Sequence, residues 1–116
     1  MTEKEIQDFI EEWVLLYPEN VKFNNYLLRS KAKDCVNKMI KLCKDNPHYT
    51  KELIFAATKK YLAEQKQRNW AYTKQATYFI SKIGQPSLLA QYCDELISGK
   101  QAIDIPLAYD EGDAFI

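Results

Sequence analysis

Apolar side chains recur at helical spacing in the first seventeen residues, and this pattern constrains the fold more than any other feature. The members of the stripe are Ile6, Phe9, Ile10, Trp13, Val14 and Tyr17. They follow the i, i+3, i+4, i+7 spacing of an amphipathic helix. Thr2 and Glu5 have the spacing of a capping box, and the helix should end before Pro18 because the residue before a proline avoids the helical region. We therefore predict a first helix over residues 3–16.

Four further stretches carry the same periodicity and predict helices over residues 31–45, 51–68, 74–82 and 87–98. Their expected N-caps are Ser30, Thr50, Thr73 and Ser87. Gly99 is the expected signal for the end of the last helix, and Ile83 is expected to face inward. The chain has only three glycines and four prolines in 116 residues, which favours helices over a turn-rich sandwich. The predicted fold is all-α, a compact bundle of about five helices.

The segment between the first two helices, residues 18–30, lacks a clear period. Asn24 and Asn25 form a turn signal. A short extended or hairpin-like piece is therefore expected here, anchored on the core by its apolar residues.

Residues 100–116 differ in character from the helical domain predicted over residues 1–99. They have no helical stripe, they contain four acids, and they end on two large apolar residues, Phe115 and Ile116. We predict an extended acidic C-terminal tail that docks on a replication or transcription protein, or on the basic middle of this chain. The predicted docking residues are Tyr109, Asp110, Glu111, Asp113, Phe115 and Ile116.

The formal net charge of zero conceals a segregation of charge along the chain. Residues 20–82 contain fourteen Lys and Arg against four acids, whereas residues 1–19 and 83–116 each contain one Lys against six acids. Such asymmetry points to a polyanionic partner for the middle of the chain, or to acidic ends that fold back on it. A solvated lysine-rich surface is the plain alternative.

The stretch from Lys59 to Lys74 interleaves cations with aromatic residues, as nucleic-acid-binding surfaces do. Cations would meet phosphates and flat rings would stack on bases, so single-stranded DNA is the favoured ligand. The predicted contact residues are Lys38, Lys41, Lys59, Lys60, Lys66, Arg68, Trp70, Tyr72 and Lys74. The competing interpretation is a helix–loop–helix corner in which Trp70 and Tyr72 fill a small core, because aromatic side chains are most often buried area.

Catalytic and metal-binding motifs are not found in the sequence. Its three glycines lie too far apart for a phosphate loop, and the single histidine, His48, has no nucleophile motif nearby. Cys35, Cys43 and Cys93 lack CxxC spacing and fall in apolar helical positions, which favours reduced, buried thiols in the cytosol. The expectation is a cytoplasmic protein that is not an enzyme, with no cofactor, no metal and no membrane partner; its oligomeric state is left open.

The layout resembles small phage replication-accessory proteins and the C-terminal part of DnaT/DnaD-type helicase loaders. The resemblance covers residues 6–97 and rests on three groups of residues: Phe9, Trp13 and Tyr17 with Pro18; Ile54, Ala57 and Tyr61; and the loop from Asn69 to Tyr72 followed by Tyr78-Phe79-Ile80-Ser81. It differs from that family in lacking Trp-Leu-Asn and a closing Trp-acid motif. The resemblance implies a phage or prophage origin, a role in DNA replication, and a helicase or single-stranded DNA as partner. Two other functions stay open: a protein-only adaptor for a polymerase, sliding clamp or helicase, and a small virion or assembly component.

Overall fold

The first helix begins at the predicted capping box. Thr2 Oγ1 accepts from the backbone N–H of Glu5, and the Glu5 carboxylate accepts from the Thr2 N–H at 2.7 Å. In the computed structural model, which describes residues 1–103 and their side chains as far as Gly99, the chain forms five helices and one small sheet. In chain order they are α1 Glu3–Val14, β1 Lys22–Phe23, β2 Tyr26–Leu27, α2 Ala32–Asp45, α3 Lys51–Gln67, α4 Ala76–Ile80 and α5 Leu88–Ile103. The all-α prediction is confirmed.

The segment between α1 and α2 forms the hairpin-like piece that the sequence predicts. Strands β1 and β2 pair antiparallel, with Lys22 opposite Leu27 and Phe23 opposite Tyr26. Asn24 and Asn25 form the two-residue turn, with φ values of 52° and 68°. Positive φ at both central positions is what a type I′ turn requires, and asparagine tolerates it better than most residues. We call residues 22–27 the hairpin.

Two predicted N-caps are used differently in the structure. The backbone cap of α2 is Lys31 rather than Ser30, and Ser30 Oγ instead accepts from the backbone N–H of Thr77 at 3.2 Å. Thr73 does not cap α4 either, because its hydroxyl donates to Gln65 Oε1 at 3.3 Å. Both hydroxyls therefore hold α4 and its loop against other elements. Thr50 and Ser87 do accept the expected backbone bonds, from Leu53 and Ala90.

Two more expectations at the C-terminal half are wrong. Ile83 is fully exposed, because α4 ends at Ile80 and a turn with Gly84 at φ 80° carries the isoleucine outward. The last helix does not end before Gly99 but continues to Ile103. A single glycine costs a helix interior only about 1 kcal/mol relative to alanine, so it does not by itself end a helix.

One apolar core joins the helices. Trp13 of α1 is completely buried, and its indole Nε1 donates to Thr58 Oγ1 of α3 at 2.9 Å. The Tyr61 ring stacks on Phe79 of α4 with 4.3 Å between centroids, and Tyr92 of α5 meets Tyr61 edge-on at 5.4 Å. The core therefore fixes α4 against α3 and α5, and this determines where the chain before α4 must run.

Ion pairs connect the acidic first helix to the basic helices. Glu3 pairs with Lys44 of α2 at 2.9 Å, and Glu12 pairs with Lys51 of α3 at 3.2 Å. These contacts agree with the expectation that the acidic N-terminal end folds back on the basic middle. All four side chains are largely exposed, so each pair contributes at most about 1 kcal/mol.

Candidate nucleic-acid interface

The chain from Asn69 to Tyr72 has an unusual backbone. Asn69, Trp70 and Tyr72 have φ values of 54°, 65° and 60°. The left-handed backbone conformation is unfavourable by roughly 1–2 kcal/mol for a residue that has a side chain, and bulky aromatic residues rarely adopt it. We call residues 69–72 the strained loop.

Hydrogen bonds hold the strained loop in place. Within it, the Trp70 N–H donates back to the carbonyl oxygen of Gln65 in α3 at 2.8 Å. After it, the Lys74 N–H donates to the Tyr61 hydroxyl at 2.7 Å, and the Ala76 N–H donates to the carbonyl oxygen of Leu28 at 2.8 Å. Strain of this kind persists where the surroundings fix the backbone, and it is concentrated at functional sites. These hydrogen bonds therefore fix the direction in which the Tyr72 side chain points, and that side chain is 82% exposed.

Tyr72 lies at the edge of a cleft of about 350 Å³ between the hairpin and α4. Its ring lies 5.2 Å from the Phe23 ring of the hairpin. Tyr26 and Tyr78, which are 64% and 41% exposed, also line the cleft, as do Lys74 and Lys82. Its described lining contains no acid. We call it the aromatic–basic cleft.

The Tyr78 ring is flanked by two ammonium groups. Lys38 Nζ and Lys82 Nζ each lie 5.1 Å from its centroid, within the range of a cation–π interaction. Lys38 Nζ also donates to the carbonyl oxygens of Ser81 and Thr77, at 2.8 and 3.3 Å. It therefore satisfies carbonyls at the C-terminal end of α4, and its charge lies beside the Tyr78 ring that lines the cleft.

A second cavity, of about 570 Å³, adjoins the aromatic–basic cleft and shares Tyr26 and Gln75 with it. Lys22, Arg29 and Lys31 line this cavity together with one acid, Asp34. The Arg29 guanidinium is committed to the end of α1, because it donates to the carbonyl oxygens of Tyr17 and Leu15. Lys22 and Lys31 are exposed, so they extend the positive surface beyond the cleft.

The nine predicted nucleic-acid contacts do not lie on one surface. Tyr72 and Lys74 belong to the aromatic–basic cleft, and Lys38 contacts Tyr78, which lines it. Lys59, Lys66 and Trp70 line a separate groove. Lys41 pairs with Asp45 at 3.3 Å, and Lys60 and Arg68 are exposed on or just after α3. The predicted docking residues, from Tyr109 to Ile116, lie outside the described residues.

Sequence reasoning did not include Phe23, Tyr26, Tyr78 and Lys82 in the site. The hairpin carried a detectable signal, since an Asn-Asn turn is flanked there by aromatic residues and cations. Tyr78 and Lys82 could not be assigned in the same way, because the short α4 gives too few turns to show which residues face outward.

Burial also determines the state of the other ionisable groups. Burial raises the pKa of the Cys35 thiol to about 11 and that of Cys93 to about 12, so both are protonated at neutral pH. Within the described part of the chain, no group of three or more His, Cys, Asp and Glu side chains is placed to hold a metal ion. None of the helices described is both long and apolar enough to cross a membrane.

Three comparisons with known proteins gave no match: the chain matches no family model, no curated protein and no solved structure.

Proposed function

We propose that this chain is a non-enzymatic nucleic-acid-binding protein that holds single strands in the aromatic–basic cleft. One observation carries the proposal: the strained loop holds an exposed Tyr72 near Lys74, in a cleft where the hairpin and α4 supply further rings and Lys82 supplies a further charge. An exposed ring on a strained backbone contributes little to the stability of the fold. Its position is therefore better explained by a role in binding a ligand.

The chemistry of the cleft favours unpaired bases over a duplex. Every base has a π-face that can stack on an aromatic side chain, and such stacking contributes about 1–3 kcal/mol per base. In a duplex these faces are covered by neighbouring base pairs. Lys74, Lys82 and the nearby Lys22 and Lys31 would meet the phosphates of the strand, whose charge supplies most of the affinity of such interfaces.

The biological role that we propose is an accessory function in phage-type DNA replication. It rests on the resemblance to helicase-loading proteins described above, and the cleft is compatible with it because replication exposes single-stranded DNA. A replication accessory of this kind would bring its strand to a second protein, for which a surface separate from the cleft is needed.

The test is a fluorescence anisotropy titration with labelled oligonucleotides, single-stranded and duplex, in low salt. We expect tighter binding of the single strand, and we expect Tyr72→Ala and Tyr78→Ala each to weaken it by about 1–3 kcal/mol. Leu15→Ala is the control, because Leu15 is 62% exposed but does not line the cleft. Equal affinity for both oligonucleotides, or tyrosine variants that bind as well as the Leu15 variant, would contradict the proposal.

A further inference from the structure

A second surface, distinct from the cleft, lies between the end of α1 and the C-terminal half of α3. It is a groove of about 460 Å³, and its apolar side chains come from Leu16, Pro18, Val21, Leu62, Ala63 and Trp70. Trp70 is only partly buried and packs against the edge of the core. We call this the apolar groove. Its floor offers apolar contact area rather than parallel ring faces, so it is poorly suited to a run of stacked bases.

Two lysines of α3 define the charge of the apolar groove. Lys59 and Lys66 are both exposed and both line it, seven residues apart and therefore on the same side of the helix. Among the described residues, the ion pairs use neither of them, and the described lining of the groove contains no acid. Lys60 lies about 100° around the helix from Lys59 and does not line the groove.

An apolar floor with a cationic edge is complementary to an acidic peptide that also carries large apolar side chains. This chain contains such a sequence at residues 109–116. Asp110, Glu111 and Asp113 provide three negative charges there, followed by Phe115 and Ile116. We propose that residues 109–116 bind in the apolar groove of their own molecule, with the acids beside Lys59 and Lys66 and the apolar pair against Trp70 and its neighbours.

The connecting chain sets a distance that this arrangement must meet. Helix α5 is described as far as Ile103, so residues 104–108 link it to the proposed segment. The six steps from Ile103 to Tyr109 span at most about 20–22 Å, and the near edge of the groove must lie within that distance of the end of α5. A short tether that can span the two sites gives an effective concentration of about 1 mM. A segment whose isolated peptide bound with a Kd of about 0.1 mM would then occupy the groove about nine-tenths of the time.

The consequence is a surface that opens only when the segment leaves. An acidic, apolar partner peptide would compete for the same groove, and the released segment would be free to bind elsewhere. The aromatic–basic cleft is not part of this exchange, so this inference does not depend on nucleic-acid binding.

Quenching of tryptophan fluorescence by acrylamide tests the inference in the full chain. Trp13 is completely buried, so the accessible signal comes from Trp70. In the double variant Phe115→Ser/Ile116→Ser, the groove should be empty. The fraction of molecules in which acrylamide can reach Trp70 should therefore rise about tenfold, from about one-tenth to nearly all. Lys59→Gln/Lys66→Gln should raise it in the same direction. The matched controls are Ile83→Ser, which changes an exposed apolar residue elsewhere, and Lys60→Gln, which removes a lysine of α3 that does not line the groove.

Two further measurements make the outcome decisive. A labelled peptide of residues 107–116 should bind the Phe115→Ser/Ile116→Ser chain, whose groove is open, and should bind more weakly after Lys59→Gln/Lys66→Gln. Protection of Trp70 should not depend on protein concentration, because the contact is within one molecule. Unchanged quenching in the segment variant, no peptide binding, or protection that increases with concentration would each overturn the inference.

Discussion

The ring of Tyr72 lies 5.2 Å from the ring of Phe23, and this contact joins the strained loop to the hairpin. The two residues are 49 positions apart in the chain, so the cleft exists only when α1, α3 and α4 are packed together. The remaining 82% exposure of Tyr72 means that the contact stabilises the fold little. Its principal effect is to place one exposed ring beside the rings and lysines of the cleft.

The backbone of Tyr72 gives the first prediction. At φ 60° alanine is strained as tyrosine is, whereas glycine is not. Tyr72→Gly should therefore be more stable than Tyr72→Ala by about 1 kcal/mol, the reverse of the usual order. Urea unfolding of the two variants measures the difference. Gly84→Ala is the companion experiment: Gly84 has φ 80° and open space around it, so alanine should cost about 1 kcal/mol through strain alone. A Tyr72→Ala chain as stable as Tyr72→Gly would show that the loop is not held in this conformation.

The hydrogen bond between Trp13 and Thr58 gives the second prediction. Both side chains are fully buried, and the threonine hydroxyl also donates to the carbonyl oxygen of Ile54 at 2.8 Å. Thr58→Val keeps the shape of the side chain but leaves the indole N–H of Trp13 without its acceptor, which should cost about 1–3 kcal/mol. Thr58→Ser retains the hydroxyl and should cost less. Chemical denaturation compares the two variants, and equal stabilities would argue that the hydroxyl is not used.

The buried thiols give the third prediction, a loss of stability at high pH. Burial raises the pKa of Cys35 from 9.0 to about 11 and that of Cys93 to about 12. Between about pH 9 and these values the unfolded chain loses thiol protons that the folded chain keeps. Each thiol therefore lowers the free energy of unfolding by up to about 1.4 kcal/mol per pH unit in that window, and its contribution is intact below pH 9.

Urea midpoints measured from pH 7 to pH 11 test this expectation. Cys93→Ala should be less stable at pH 7, because it removes core packing, but it should lose less stability between pH 9 and pH 11. Rapid modification of the thiols by a disulfide reagent in the native protein at pH 8 would contradict the burial on which the prediction depends.

The fold could be predicted from the sequence because each long helix has a complete apolar stripe and most have a capping residue. The stripe of α1 and the capping box at Thr2 and Glu5 are local signals, and both are confirmed. Ser30 and Thr73 show the limit of such reasoning. Each is a good helix cap by composition, but each forms a hydrogen bond with a residue that is distant or on another element.

The candidate site was only partly predictable, for a related reason. Two of its residues were recognised from the sequence, Tyr72 at the end of the strained loop and Lys74 just after it. Trp70, two residues away, lies in a different groove, because the positive φ values of the loop turn successive side chains in different directions. Tertiary packing, rather than composition, decides which of the cations share a surface.

The salt dependence of single-strand binding tests the central claim most directly. Four lysines, Lys22, Lys31, Lys74 and Lys82, lie on the cleft and its adjoining cavity. Four phosphate contacts give a slope of about −2.8 for log K against log salt concentration, at about 0.7 per contact on single strands. Lys74→Gln/Lys82→Gln should weaken binding and reduce the slope to about −1.4. Lys41→Gln/Lys60→Gln removes the same charge away from the cleft and should leave the slope unchanged. Equal slopes for the two double variants, or binding that is indifferent to salt, would contradict the assignment of the cleft as the nucleic-acid site.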